Sequence, residues 1–214
     1  MKKAVMISIQ PKWVELIAAR KKTVEIRKTR PNLDMPFKSY IYMTRINWAF
    51  GFLRRLGMKD LADRLMHATG KIIGEFVCDG IAKIHYDVFD GADPGTGGFH
   101  HWLDCNDEWA WSLDIKSCLT HEEFKSYLGK KDGYGWNISD LVIYDRPKAL
   151  KDFCKWTDDL EDIRPCQNGK ACEHLFFDYG EDQEACGIDY DGTDCPYLKV
   201  QRPPQSWCYV EPLE

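Results

Sequence analysis

The spacing of hydrophobic residues changes twice near the start of the chain. AVMISI (Ala4–Ile9) is rich in residues that favour strands, and Pro11 after it suits the first turn of a helix. In KWVELIAARK the apolar residues recur every three to four positions, which predicts an amphipathic helix of about three turns. KTVEIRK then alternates, with Val24 and Ile26 on one face, and this predicts a strand with one buried side.

The patterns further along predict several strands and two more helical regions. SYIYMT predicts a strand, the stretch Ile46–Gly70 predicts a basic helix, and KIIGEFVCDGIAKIHYDVF returns to strand spacing. THEEFKSYLG predicts a short helix, because Thr120 and Glu123 have the spacing of a capping box and Gly129 suits the helix end. WNISDLVIYD and SWCYVE predict later strands, and the glycine-flanked FHHW predicts an exposed loop.

This order of elements predicts a mixed α+β fold in which a small antiparallel sheet closes or nearly closes on itself. We expect one domain made of residues 1–153 and 200–214, with a helical elaboration at about 45–70. Residues 154–199 form a cysteine-rich insertion, where Gly, Asp and Cys dominate and regular spacing is lost. An insertion of this length without a core of its own needs a staple to hold one structure.

Composition and charge narrow the class of protein. The chain has 214 residues and a formal net charge of −5, but residues 1–71 contain 16 Lys or Arg and only 5 Asp or Glu. Such asymmetry creates a positive surface that attracts anions, or lets the two halves neutralise each other. Gln10 and Pro11 interrupt the first apolar run, which is too short for a signal peptide, and no run suits a membrane span. We therefore expect a cytoplasmic protein that does not act at a membrane.

The densest positive charge lies in ARKKTVEIRKTRP (Ala19–Pro31), where six of thirteen residues are Lys or Arg and only Glu25 opposes them. One interpretation is structural, because cations are stable at the carboxyl end of a helix. The other is a cationic cleft in which these side chains bind phosphates and Glu25 orients one of them or accepts a hydrogen bond from a base. The cations of this cleft are Arg20, Lys21, Lys22, Arg27, Lys28 and Arg30.

The same stretch resembles the opening of ASCH domains, which belong to the PUA-like superfamily. That family has a G-x-K-x-x-E-x-R signature, matched here by Lys22, Glu25 and Arg27, whereas Arg20 stands at the glycine. GKIIGEFVCDGI, GYGWNISDLVIYDRPKAL and RPPQSWCYVE are similar to further segments of ASCH proteins of the phage and prophage type. The resemblance covers most of the chain except the elaboration and the insertion. It implies a PUA-like β-barrel that has a cleft beside the signature.

The resemblance implies two functions, and the charge asymmetry keeps a third open. The first is binding of RNA or a modified nucleotide by the cleft, with Trp136 either stacking on a base or packing in the core. The second is hydrolysis of acylated nucleosides or cleavage of RNA, with Lys22 and Glu25 as catalytic residues. The hydrolases of the family have a threonine where this chain has Glu25, which argues against their chemistry. The third is a protein-interaction module whose basic half binds an acidic partner.

The cysteine-rich insertion predicts a structural metal site or free thiols. The nine cysteines are an odd number and no export signal accompanies them, which argues against a disulfide framework. The candidate zinc ligands are Cys166, Cys172, Cys186 and Cys195, and His174 could replace one of them. The spacing lacks a C-x-x-C pair, so zinc and free thiols both stay open. Four cysteine ligands would leave no open position for water, so such a zinc would be structural.

Overall fold

The computed structural model describes residues 3–89, 98–103, 113–156, 176–178, 184–186 and 199–213. The described strands are β1 (Ala4–Ile9), β2 (Val24–Arg27), β3 (Phe37–Met43), β4 (Ile72–Cys78), β5 (Ile81–Phe89), β6 (Gly98–Leu103), β7 (Gly133–Asn137), β8 (Ser139–Lys148), β9 (Phe176–Asp178), β10 (Glu184–Cys186) and β11 (Trp207–Val210). The described helices are α1 (Pro11–Ala18), α2 (Gly51–Arg55), α3 (Lys59–Met66), α4 (Leu113–Ser117), α5 (His121–Leu128) and a 3-10 turn (Leu150–Asp152).

The strands form two main sheets. The first has the order β11-β1-β3-β4-β8, in which β1 and β3 are parallel and the other pairs are antiparallel. The second has the order β2-β7-β5-β6 and is antiparallel throughout. A separate pair, β9 with β10, belongs to the cysteine-rich insertion. The mixed α+β prediction is therefore confirmed, but the hydrogen-bonded order of the described strands is two open sheets and not a closed ring.

A hydrophobic core lies between the two sheets and α1. Ile7, Ile17, Ile41, Phe76 and Trp136 belong to it, and all are fully or almost fully buried. A second cluster lies around Tyr40 and Phe153 in the first sheet and the segments beside it, and a third packs α4 and α5 against β2. The second sheet is thus covered on both faces at β2, and all four residues of β2 are buried. The prediction of one buried side for this strand is wrong for that reason.

Several element boundaries follow from local sequence. Thr120 and Glu123 form the predicted capping box of α5, and Gly129 ends that helix. The predicted single helix at Ile46–Gly70 is instead two short helices, because Gly57 between them has a φ of 77°. FHHW is not a loop but part of β6, which pairs with β5.

The carboxyl-terminal strand β11 pairs with the first strand, Trp207 opposite Ile7. Beside it, the two ends of the insertion are joined by backbone contacts. Cys154 pairs with Lys199, and the Val200 amide donates to the Phe153 carbonyl at 2.9 Å. The chain at residues 199 and 200 thus lies beside residues 153 and 154, and the predicted domain division stays a prediction. No helix in the described part of the chain is long and apolar enough to cross a membrane.

Candidate nucleic-acid interface

The turn from α1 into β2 brings the signature residues together. The helix ends at Ala18, and Arg20 follows in a left-handed conformation with φ of 55°. Its amide donates to the Ile17 carbonyl at 2.8 Å, as at many helix ends that use glycine. The glycine of the ASCH signature therefore corresponds to a position that needs positive φ. Arg20 adopts it, and its guanidinium donates to the Leu141 carbonyl at 3.1 Å.

Lys22 is a buried ammonium whose donors are all directed at protein oxygens. Its side chain is almost fully buried, and Nζ donates to the carbonyls of Val24 at 2.9 Å and Ser117 at 2.8 Å. Nζ also lies 3.3 Å from Glu25 Oε2 and 5.2 Å from the centre of the Trp13 ring. Burial lowers the pKa of Lys22 from its usual value, although the Glu25 carboxylate acts in the opposite direction.

Glu25 joins Lys22 to Arg27 in one buried ion triad. Glu25 Oε1 lies 3.1 Å from Arg27 Nη2, and both side chains are more than nine-tenths buried. Arg27 Nη2 also donates to the Ser8 carbonyl at 2.5 Å, and Nη1 donates to Ser206 Oγ at 3.5 Å. The arginine thus connects β2 to β1 and to the segment before β11. The triad is a buried bridge between the two sheets in which two cations share one carboxylate, and it is not an open cationic surface.

The other cations of the stretch are exposed, but they lie in two groups. Lys28 and Arg30 follow β2 at the end near β11, since Thr29 between them accepts from Trp207 Nε1 at 3.0 Å. Arg20 and Lys21 follow the carboxyl end of α1. This end lies about 12 Å from the amino end, because the helix has eight residues. The prediction builds the cleft on Lys22, Glu25 and Arg27 and rings it with these four cations, but the four do not form one group. Lys22 and Arg27 are buried, and the four exposed cations are divided.

A cleft of about 380 Å³ lies beside the Arg27 end of the triad. Ser8 forms part of its wall, and the carbonyl of this residue accepts from Arg27. The hydroxyl of Ser8 donates to the Pro204 carbonyl at 2.6 Å on the facing segment. We call this space the Ser8 cleft. Its lining residues are Ser8, Tyr42, Thr44, Arg45, Leu150, Gln201, Pro203, Pro204 and Gln205.

Arg45 is a lining group of the Ser8 cleft that is available to a ligand. Arg45 is exposed and forms no hydrogen bond or ion pair with the rest of the described chain. Thr44 Oγ1 is buried and has no hydrogen-bond partner among the residues that the structure describes. Gly70, with φ of 81°, lets Arg45 lie close, because a Cβ there would come within 2.5 Å of Arg45 Nε. Sequence reasoning missed these residues, and the only signal was the Thr-Arg pair directly after a buried strand.

Trp136 packs in the core and does not face a ligand. Its side chain is fully buried, lies 5.9 Å from the Phe37 ring in an edge-on arrangement, and lies 6.2 Å from the Trp207 ring. The prediction that Trp136 stacks on a base is therefore wrong. The core-packing alternative is confirmed, and the reason is that β7 is an inner strand whose Trp136 side chain points between the sheets.

The predicted zinc ligands Cys166, Cys172 and Cys195, and their alternative His174, lie outside the described residues. Cys186 ends β10, and nothing further is described of its side chain. Within the described ranges, no group of three or more candidate ligands could hold a metal ion, and Cys78, Cys118, Cys154 and Cys208 are free thiols. The structural zinc stays a prediction that metal analysis of the purified protein can check.

Comparison with known proteins gives matches among solved structures only. No protein-family model matches the chain, and no curated protein matches it significantly. The chain is similar to a crystal structure of an ASCH protein from Zymomonas mobilis, with 18% identity and a TM-score of 0.42 over 69% of this chain and 73% of that one. A single-substitution variant of the same protein matches with 17% identity and a TM-score of 0.45, over 98% of this chain and 89% of that one.

Proposed function

We propose that this chain is an ASCH-type domain of PUA-like architecture that binds single-stranded RNA or a nucleotide at the Ser8 cleft. In this proposal Lys28, Arg30 and Arg45 contact phosphates at the rim. The triad of Lys22, Glu25 and Arg27 is the buried frame that fixes the position of the cleft wall. Glu25 therefore orders the site and does not contact the ligand.

The observation that carries the proposal is the difference between buried and exposed cations in one short segment. The two buried cations share Glu25 as their counter-charge. Lys28 and Arg30 form no ion pair with any carboxylate in the described part of the chain, and Lys28 lies 5.2 Å from the centre of the Tyr127 ring. Exposed cations without carboxylate partners are the groups that exchange bound counterions for phosphates.

The adjoining Ser8 cleft explains how an RNA strand could be held in one orientation and not merely attracted by positive charge. Arg45 offers a planar guanidinium that can bind a phosphate through two hydrogen bonds. The exposed side-chain amide of Gln205 adds a neutral group suited to a sugar or a base edge. A mixed lining of this type, with few charges and several neutral polar groups, fits a nucleotide better than a divalent ion or an acidic protein surface.

The test is binding of a fluorescent single-stranded RNA of about 16 nucleotides, a length at the upper end of typical site sizes, across a series of salt concentrations. For wild type we expect affinity to fall linearly with the logarithm of salt concentration. In Lys28→Ala/Arg30→Ala we expect weaker binding and a salt slope smaller by about 1.4, because each cation contributes about 0.7 on single strands. The control is Arg146→Ala, which removes an exposed cation from β8 at the opposite edge of the first sheet.

If wild type does not bind RNA at low salt, the proposal is wrong. An acidic protein partner is then the next candidate to test. A loss in the control that is as large for each cation removed as the loss in the double variant would mean that only overall charge matters. The RNA is recovered and checked for cleavage in every experiment.

Cleavage of the RNA would favour the hydrolase alternative. One observation supports that alternative, since burial lowers the pKa of Lys22 toward the range useful in acid–base catalysis. The geometry opposes it, because the Lys22 ammonium already donates to two backbone carbonyls. These hydrogen bonds would have to break before Lys22 could act on a substrate. Turnover that is lost in Lys22→Met and retained in Lys28→Ala/Arg30→Ala would establish the enzyme.

A further inference from the structure

Trp48 is an exposed aromatic residue that is nevertheless held in place. About 39% of its surface is exposed, yet its indole Nε1 donates to Glu15 Oε2 at 2.7 Å. Glu15 is a buried carboxylate on α1, and its other oxygen accepts from the Leu53 amide at 2.9 Å. The carboxylate thus fixes the edge of the indole at the protein while the ring remains open to solvent. An exposed tryptophan without such a tether would sample several rotamers.

Trp48 lies within reach of the Ser8 cleft. It follows Arg45 by three residues, so the two Cα atoms are at most about 11 Å apart, from the maximum rise of an extended chain. The segment between them has no helix or strand, and Ile46 within it is also exposed. An aromatic face and an unpaired guanidinium therefore occur together on one short surface segment.

The charge near Trp48 favours an anionic partner. Arg54 and Arg55 lie on α2, whose Leu53 amide shares the Glu15 carboxylate with Trp48. Arg54 pairs with Asp63, whereas Arg55 lies over the Phe52 ring and has no carboxylate partner among the described residues. A fixed aromatic face beside unpaired cations is the combination that proteins use to bind single-stranded nucleic acid without strong sequence preference. An acidic protein surface would match the charge but would not need an open ring.

We propose that Trp48 is a stacking platform for a base of the strand whose phosphates contact Arg45. This inference rests on the proposed function, and it adds the residue through which bases contribute to affinity. The helical elaboration would then be part of the binding surface, with Glu15 as the positioning residue that orients the indole.

The experiment compares two probes, an oligouridine strand and a strand of equal length with abasic sites, on wild type, Trp48→Ala, Trp48→Phe and Leu56→Ala. Base–aromatic stacking is worth about 1–3 kcal/mol, so we expect Trp48→Ala to bind oligouridine about 5- to 150-fold more weakly. We expect the same variant to bind the abasic strand as wild type does, and Trp48→Phe to keep most of the affinity for oligouridine. Leu56→Ala, which removes another exposed apolar side chain of the elaboration, should bind both probes normally.

Unchanged oligouridine binding by Trp48→Ala would overturn the inference and leave the proposed function standing, provided that wild type still binds with the expected salt dependence. Equal losses on both probes would also overturn it, because Trp48 would then act through the fold and not through bases. Failure of wild type to bind either probe would overturn both proposals. Urea unfolding of each variant shows whether a loss of binding comes with a loss of stability.

Discussion

Glu25 is the residue on which the interior of the site depends. It is the shared counter-charge of two buried cations, Lys22 and Arg27, which come from either side of it in the sequence. A buried ion pair need not add net stability compared with an apolar core, but removal of one member leaves an uncompensated charge in a medium of low dielectric constant. The triad is therefore much more sensitive to the loss of one residue than an exposed pair.

We expect Glu25→Ala to lower the free energy of unfolding by about 3–5 kcal/mol, because two buried cations lose their partner. Urea unfolding followed by circular dichroism measures the change. The matched control is Asp63→Ala, which breaks the partly exposed pair with Arg54 and should cost at most about 1 kcal/mol. Similar small losses in both variants would mean that water already screens the triad.

Arg20 is a single residue whose replacement by glycine should stabilise the protein. It adopts a left-handed conformation where glycine is favoured, and this costs an ordinary residue about 1–2 kcal/mol. Arg20→Gly should therefore raise the free energy of unfolding, by up to about 1 kcal/mol after loss of the hydrogen bond to Leu141. Arg20→Ala, which loses the same hydrogen bond but keeps the backbone strain, is the control and should be destabilised. A destabilised glycine variant would show that the side chain contact outweighs the strain.

At the scale of elements, a buried carboxylate on α1 helps to hold the helical elaboration. Glu15 accepts from the Leu53 amide in the first turns of α2 and from the Trp48 indole. Phe50, directly before α2, has no side-chain cap hydrogen bond, so Glu15 from another helix takes that role. Leu53, Ala62 and Leu65 add buried contacts to the main core. The elaboration is thus attached through two hydrogen bonds to Glu15, the exposed ion pair of Arg64 with Asp145 on β8, and apolar contacts.

We expect Glu15→Ala to loosen the elaboration without unfolding the sheets. Loss of a buried acceptor for two donors costs about 1–3 kcal/mol for each donor that is left unsatisfied. Hydrogen exchange should accelerate at the amides of α2 and α3 and remain slow in β1, β3 and β4. Glu15→Gln, which keeps one acceptor oxygen, should have a smaller effect. Accelerated exchange across the first sheet as well would contradict the idea of a separately attached elaboration.

The sequence predicted elements well wherever local chemistry determines them. The capping box at Thr120 and the proline at the start of α1 are contacts within one turn, so spacing was sufficient. Prediction from sequence failed where tertiary packing determines which residues are buried. Glu25 and Arg27 have polar side chains that suggest a solvent face, but a second layer covers them and they compensate each other. The Ser8 cleft could not be predicted, because its walls come from positions almost 200 residues apart that meet only through the pairing of β1 with β11.

At the scale of the whole molecule, the segments before and after the predicted cysteine-rich insertion lie side by side. Besides the Phe153–Val200 contact, the Trp156 amide donates to the Tyr209 carbonyl, and the Glu211 amide donates to the Cys154 carbonyl. These contacts belong to the flanks and do not need the residues between them. Residues 157–198 also contain 12 Asp or Glu and only 2 Lys or Arg. The insertion therefore supplies much of the negative charge of the protein.

We expect a variant in which a short Gly-Ser linker replaces residues 157–198 to fold and to unfold cooperatively. Its free energy of unfolding should be equal to that of the intact chain or higher by up to about 2 kcal/mol, because a shorter loop costs less entropy to close. Its formal net charge changes from −5 to +5, so RNA binding at low salt should strengthen. Loss of cooperative unfolding would contradict the predicted domain division and would indicate that the insertion, with or without zinc, stabilises the fold.

The pairing of β1 with β11 also determines when, during synthesis, the protein can complete the Ser8 cleft. At about 5–20 residues per second, the roughly 200 residues between the two strands take about 10–40 seconds to translate. During that time β1 lacks its neighbour on one side, and the Ser8 cleft lacks the wall that contains Gln201 and Gln205. A nascent chain released before this point would carry the basic amino-terminal half without a finished cleft. The proposed recognition at the Ser8 cleft is thus confined to chains whose translation has passed β11.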